Sequence, residues 1–276
     1  MQYSTNTAKT FAVAALVIAA AAGARAENLT IPGSGNNEFV LGVLARAFNA
    51  SQSAHTVVVP PSTGTAGALR AIEERTASVA RVGRPLKDAE RRPGVAYLPL
   101  GDDAVVFVGG AGVTVKSLST AQALDIYAGK ITRWDALGGK AAPIRAVGRE
   151  ATDASLQVIA KKIPAFASVP YSDGVKVVHL DPQLIELLDR YAFSLAFTNR
   201  SGLGAARTRV NVLALDGVAP TTQNLANGAY PLRMGFGLLV RSDALGPAAK
   251  QFLDFVQSAA GAAILREHGV LPPAPQ

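Results

Sequence analysis

The sequence predicts an α/β fold in which mainly parallel sheets are flanked by helices. Three observations carry this reading. Apolar, β-branched runs alternate along the chain with stretches of helical periodicity, the pattern of βαβ units. Three of those runs pass through a short loop of hydroxyls and glycines directly into a helix start. The chain has 276 residues, 49% of them hydrophobic, enough for one large domain or two lobes with their own cores.

The strongest of the three corners is Thr56–Arg70. Val57, Val58 and Val59 read as a buried strand. Ser62, Thr63, Gly64, Thr65 and Gly67 form the loop, and Ala68 to Arg75 reads as a helix. Earlier in the chain, Leu29-Thr30-Ile31 leads into Gly33-Ser34-Gly35-Asn36-Asn37. Phe39, Val40, Val43, Leu44 and Phe48 follow at helical spacing. Later, Ile144 to Val147 leads into Gly148-Arg149-Glu150-Ala151-Thr152-Asp153-Ala154-Ser155, with Leu156, Ile159 and Ile163 behind it. Such corners present unpaired backbone N–H groups and the positive end of a helix dipole. Three of them could converge on one small oxyanion.

The remaining elements follow in order. Residues 1–26 read as a secretory signal peptide: Lys9, then an apolar stretch from Phe11 to Ala22 too short to span a membrane, then the small-x-small site Ala24-Arg25-Ala26. Glu27 is the expected mature start, and no later stretch would span a bilayer. Val79 to Pro85 reads as a short strand ending at Arg84, and Lys87 to Arg92 as an exposed helical turn. Val95–Leu100 and Ala104–Val108 read as two strands around a turn at Gly101-Asp102-Asp103. Gly109-Gly110-Ala111-Gly112 marks a change of lobe. Ser119 can cap a helix carrying Ala123, Leu124 and Tyr127, which Gly129 stops. Asp181 to Tyr191 reads as a helix, Leu195 to Thr198 and Val210 to Leu215 as strands. A further strand falls within Tyr230–Val240, and Pro247 to Glu267 reads as one long amphipathic helix.

Composition narrows the function. With no cysteine, disulfides, thiol catalysis, cysteine-ligated metal and a lipid anchor on an N-terminal cysteine are excluded. Two of the +7 net charges, Lys9 and Arg25, lie in the first 26 residues, leaving +5. That mild excess can steer anions, but no Lys/Arg run with interleaved aromatics argues for nucleic acid. The scattered His55, His179 and His268 give no metal spacing. There is no nucleophile elbow, phosphate loop or dinucleotide fingerprint. The chain therefore reads as a non-enzymatic protein without cofactor or metal.

Ser34, Ser62, Thr63, Thr65 and Ser155 are neutral donors suited to an oxyanion, or ordinary turn and cap residues. Arg149 can add a charge-assisted contact. Asp153 is either a helix cap or a carboxylate facing the ligand. In the second case the ligand must bring a proton to donate. Glu38 is either a first-turn partner of the helix dipole or a second such carboxylate, and Arg84 is either a second clamp or a surface ion-pair residue.

Together these residues resemble the periplasmic phosphate-binding proteins of ABC importers, the PstS-like family, along nearly all of the mature chain. The stretch Ile126-Tyr127-Ala128-Gly129-Lys130-Ile131-Thr132-Arg133-Trp134 is very like the family's I-Y-x-G-K-I-x-x-W. Thr63-Gly64-Thr65, Val147-Gly148-Arg149-Glu150, Asp216 to Thr221 and the ending from Tyr230 to Pro272 are also similar. The resemblance implies a type 2 periplasmic-binding-protein-like fold of two lobes. Residues 27–105 and 232–276 would form one lobe and 106–231 the other, closing on the ligand. It implies a soluble monomer that passes phosphate or a related oxyanion to an ABC permease. The ligand loops it points to are Ser34, Gly35, Asn36 and Asn37; Thr63, Gly64 and Thr65; Arg84; and Arg149, Asp153, Ala154 and Ser155. The chain departs from the family in three places, the first at Asn36 and Asn37, where the family often has Thr or Ser. Asp153-Ala154-Ser155 stands where the family has Ser-Gly-Thr, and Arg84 stands where some members have an aspartate that accepts the phosphate proton. The altered loop Asp153-Ala154-Ser155 favours a second reading, an interaction or sensory protein that keeps the fold without tight phosphate binding.

Overall fold

The computed structural model describes residues 26–274; the signal-peptide reading of the first 26 lies almost wholly outside them. The first half contains β1 (Glu27–Thr30), α1 (Glu38–Ser51), β2 (His55–Val58), α2 (Gly64–Glu73), β3 (Val79–Val82) and β4 (Val95–Gly109). Next come β5 (Ser117–Leu118), α3 (Thr120–Tyr127), β6 (Arg145–Arg149), α4 (Ala154–Lys162), α5 (Pro164–Ser168), β7 (Lys176–Val178) and α6 (Asp181–Arg190). The chain continues with β8 (Ser194–Asn199), β9 (Asn211–Val212), β10 (Ala214–Leu215), α7 (Thr222–Ala226), β11 (Arg233–Arg241), α8 (Pro247–Gln257) and α9 (Ala259–Glu267). No described helix is long and apolar enough to cross a membrane.

The parallel pairs that the alternation predicts are β1 with β2, β6 with β7 and β8, and β5 with β10. The main sheet runs β3-β11-β4-β8-β6-β7, with β9 also on β4. Its centre is antiparallel, because β4 and β11 are long strands that run past one another through the middle of the molecule. Each changes core on the way. On β4, Leu100 packs with Leu41, Phe48 and Phe252, whereas Ala104 onwards packs with Tyr127, Phe166 and Phe197. On β11 the change falls between Met234 and Phe236. Phe107, Tyr127, Phe166 and Phe197 meet with ring centroids 5.3–6.1 Å apart, within the range of favourable edge contacts. Tyr127 and Trp134 are buried, so these two residues of the Ile126–Trp134 stretch are structural.

The expected turn at Gly101-Asp102-Asp103 is not one. These residues lie inside β4, paired with β11 on one side and bonded to Leu271 on the other. Asp102 N–H donates to Leu271 O and Leu271 N–H to Asp102 O, both at 2.8 Å. Gly101, at φ +156°, lets that backbone approach, since a Cβ there would sit 2.6 Å from Leu271 O. Strand alternation then sends the two aspartates to opposite faces. Asp102 pairs with Arg233 at the surface, and Asp103 is fully buried. The expected single C-terminal helix is also two. Ser258 interrupts it, its Oγ accepting from Gly261 N–H at 3.2 Å as the N-cap of α9.

Asp103 accepts from Ser201 N–H (3.1 Å) and Asn199 Nδ2 (2.9 Å), and the same Nδ2 donates to Asn36 O at 2.6 Å. Burial pushes the Asp103 carboxyl above its ordinary value, against those donors. A raised carboxyl keeps a proton that the unfolded chain releases. Its contribution to stability is therefore complete below about pH 3.9 and is lost as pH rises through the folded value. The urea midpoint of the wild type relative to Asp103→Asn should shift in favour of the wild type between about pH 7 and about pH 4. A gap that stays constant with pH would show that Asp103 does not take up that proton.

Candidate anion-binding site

The first corner, Pro32 to Asn37, joins β1 to α1. Gly33 (φ +137°) passes so close to β3 that a Cβ would lie 2.0 Å from Arg81 O. Ser34 N–H donates to Arg81 O and Thr63 N–H to Gly33 O, tying this corner to β3 and to the second corner. The N–H groups of Gly35, Asn36 and Asn37 meet no acceptor among the described residues. In the second corner, Ser62 Oγ donates to Gly33 O and accepts from Gly64 N–H. Thr63 packs back on Gly67 of its own helix. The first-turn N–H groups of Thr65 and Ala66 are left open. In the third corner, Asp153 Oδ1 caps α4 by accepting from Leu156 N–H at 3.0 Å. Among the described residues the N–H groups of Ala154 and Ser155 meet no acceptor, and the buried Ser155 Oγ has no partner.

Arg149 ends β6 with its side chain 4% exposed. Its Nη2 donates to Asp153 Oδ2 at 2.6 Å. Its Nη1 lies 3.1 Å from Asp181 Oδ1 without hydrogen-bond alignment, and Nε has no acceptor. Asp181, the first residue of α6, brings the corners together. Its Oδ2 would lie 2.8 Å from a Cβ on Gly35, where Ser62 Oγ would lie 3.2 Å away. Burial raises the Asp181 carboxyl, an effect that Arg149 opposes. Among the described residues these corners hold seven open backbone N–H groups, the Arg149 Nε and Nη1 without an aligned acceptor, Ser155 Oγ and the unpartnered Asn36 Nδ2. Donors fixed before a ligand arrives are what an oxyanion needs.

A family model described as the PBP superfamily domain matches residues 19–260. The chain belongs to the PBP superfamily. The phosphate-binding protein PstS of Bacillus subtilis is 26% identical over 246 residues, covering 84% of this chain and 75% of that one. PstS of Borreliella burgdorferi is 21% identical over 226 residues, covering 79% and 80%. A phosphate ABC transporter substrate-binding protein from Clostridium perfringens, solved with bound phosphate, superposes with a TM-score of 0.73 at 22% identity. It covers 90% of this chain and 100% of its own.

Within this PBP superfamily chain, not every side chain singled out in the sequence is left free beside the open N–H groups. Arg84 makes a two-pronged pair with Glu90 (both contacts 2.7 Å) on the surface, and this pair holds the Glu90 carboxyl down at about 2. Asp153 has both oxygens engaged, one as a cap and one on Arg149. Ser34 Oγ turns under the loop to Asn36 Oδ1, and Asn37 Nδ2 donates to Val82 O. Glu38 pairs with Arg81 at 3.2 Å, and burial raises its carboxyl.

Two residues went unnoticed in the sequence. Asp181 reads there only as a helix start. Arg81 lies in a strand buried at all four positions, and a lone arginine in such a run is the signal that could have found it. Its side chain is 0% exposed. Nε donates to Ser34 O (2.7 Å), Nη2 to Pro60 O (2.7 Å) and Glu38, and Nη1 to Ile31 O. A trans peptide sets C=O and N–H in opposite directions. Holding Ser34 O therefore turns Gly35 N–H away from Arg81. The carbonyls of Ile31 and Pro60 precede prolines, so their peptide units have no N–H to aim.

Proposed function

We propose that this protein is a solute-binding protein. In this reading it holds phosphate or a related oxyanion between two lobes and passes it to an ABC permease, outside the cytoplasm after its signal peptide is removed. The observation that carries this is the set of open N–H groups at three corners, together with Arg149, whose Nε and Nη1 have no aligned acceptor among the described residues. The change of core along β4 and β11 supports two lobes joined by those strands. The phosphate-binding names of the relatives support the ligand class. The charge of Arg149 is shared by Asp153 and Asp181. That observation favours the second reading, an interaction or sensory protein, should no anion bind.

The ligand-facing carboxylate in this reading is Asp181 rather than Asp153. Its Oδ1 faces Arg149 and Thr198, and its Oδ2 is uncommitted beside Gly35. A carboxylate there accepts a hydrogen bond from a protonated oxyanion and repels one without a proton. Calorimetry should show phosphate and arsenate binding, sulfate failing, and phosphate affinity weakening as pH rises and the ligand loses its last proton. Asp181→Asn, which supplies a donor, should admit sulfate at least about tenfold better. Equal binding of sulfate and phosphate by the wild type would remove Asp181 from this role. If no anion binds at all, the interaction reading takes its place.

A further inference from the structure

Beside the anion corners lies a cavity of about 850 Å³ that shares Gly35, Glu38 and Asp181 with them. That is the size of pockets that enclose whole organic molecules, about 300–1,000 Å³, and far more than an inorganic oxyanion fills. The space persists although the walls already meet at its floor. Asp181 Oδ2 reaches Gly35, and Phe39 on α1 packs against Gly204 so closely that a Cβ there would overlap its ring. One wall is a face of α1 and the other a face of α6, with Phe39 and Ile185 supplying apolar surface.

Gly42 sits in the middle of α1, where glycine is less favourable than alanine. Packing does not require it, since an added Cβ would meet only Arg46 Nη1 at 3.4 Å. The missing side chain leaves space in the cavity wall. The same contact shows where the Arg46 guanidinium lies, over Gly42, one turn of helix or about 6 Å beyond Glu38. Arg46, Arg190 and Arg207 all line the cavity and pair with no carboxylate among the described residues. Of the acids on the outer wall, Asp189 accepts from the N–H groups of Arg207 and Thr208 and keeps its charge, so Asp189 and Glu186 stand against three guanidiniums.

From these features we infer that the cleft takes a small organic phosphate with a second acidic group. Its phosphoryl end sits at the three corners, its carbon bridge against Phe39 and Ile185, and its carboxylate against Arg46. The inference rests on the oxyanion reading of the corners and adds the class of molecule that carries the oxyanion.

The test is calorimetry on the full mature chain with 3-phosphoglycerate, glycerol 3-phosphate and inorganic phosphate. The wild type should bind 3-phosphoglycerate at least about tenfold more tightly than glycerol 3-phosphate, and Arg46→Gln should erase that difference. Gly42→Leu, which fills the wall and favours the helix, should melt no lower than the wild type. It should lose 3-phosphoglycerate by at least about tenfold while phosphate affinity stays within about twofold. Phosphate binding without 3-phosphoglycerate binding, or a Gly42→Leu variant that still takes 3-phosphoglycerate, overturns the inference and leaves the oxyanion reading standing. Failure of all three anions to bind overturns both.

Discussion

Arg149→Ala should weaken phosphate binding by about 2–4 kcal/mol, the range for truncating a buried, hydrogen-bonded charge at an interface. The residue ends β6 with its side chain nearly inaccessible, and Asp153 holds its Nη2 edge in place. Nε and Nη1 have no aligned hydrogen-bond partner among the described residues, although Nη1 lies 3.1 Å from Asp181 Oδ1, so a ligand completes the set of contacts. A guanidinium held this way offers fixed, planar donors, which a lysine cannot reproduce. Arg149→Lys should therefore recover less than half of the loss. Truncation also strands Asp153 and Asp181 beside the incoming anion, and their repulsion adds to the missing attraction. Small-angle scattering should show compaction when phosphate is added to the wild type and none for Arg149→Ala. A loss under about tenfold in affinity would place Arg149 outside the site.

Arg81→Met should destabilise the fold by about 3–5 kcal/mol, the effect of breaking a buried ion pair from one side. Methionine replaces most of the volume but none of the donors. The carbonyls of Ile31, Ser34 and Pro60 lose their partner together, and the half-buried Glu38 keeps a charge with nothing opposite it. Each stranded group carries its own desolvation penalty. Urea unfolding of Arg81→Met, Glu38→Gln and the double variant should show a coupling of at least about 1 kcal/mol. Additive losses, or a single-variant loss under about 1 kcal/mol, would show that Arg81 is not what holds the two corners.

The alternation of strands and helices and the three corners were legible in the sequence, because they depend on local periodicity and on loops a few residues long. What was not legible depends on partners distant in the chain. Gly101-Asp102-Asp103 carries turn residues, but pairing with β11 and Leu271 overrides them and carries the strand on, with a register shift just before Gly101. Arg84 could have faced the cleft, and it is Glu90, six residues on, that draws it to the surface. Asp153 had two possible roles, and its two oxygens divide between the helix cap and Arg149. Asp181 gives no local sign of its position, because Gly35, its neighbour across the cleft, belongs to a loop far earlier in the chain.

The position of β11 also bears on how the chain can fold as it is made. In the main sheet this strand lies between β3 and β4, which do not touch one another. A growing chain that has reached residue 232 therefore holds two strands with open edges and no central strand between them. α8, which covers the core containing Phe48, comes later still. The second core, from Ala104 to Met234, is nearly complete by then. Synthesis thus delays closure of the first half until residues 233–241 arrive, and a chain cut short of them keeps pairing edges exposed to other chains.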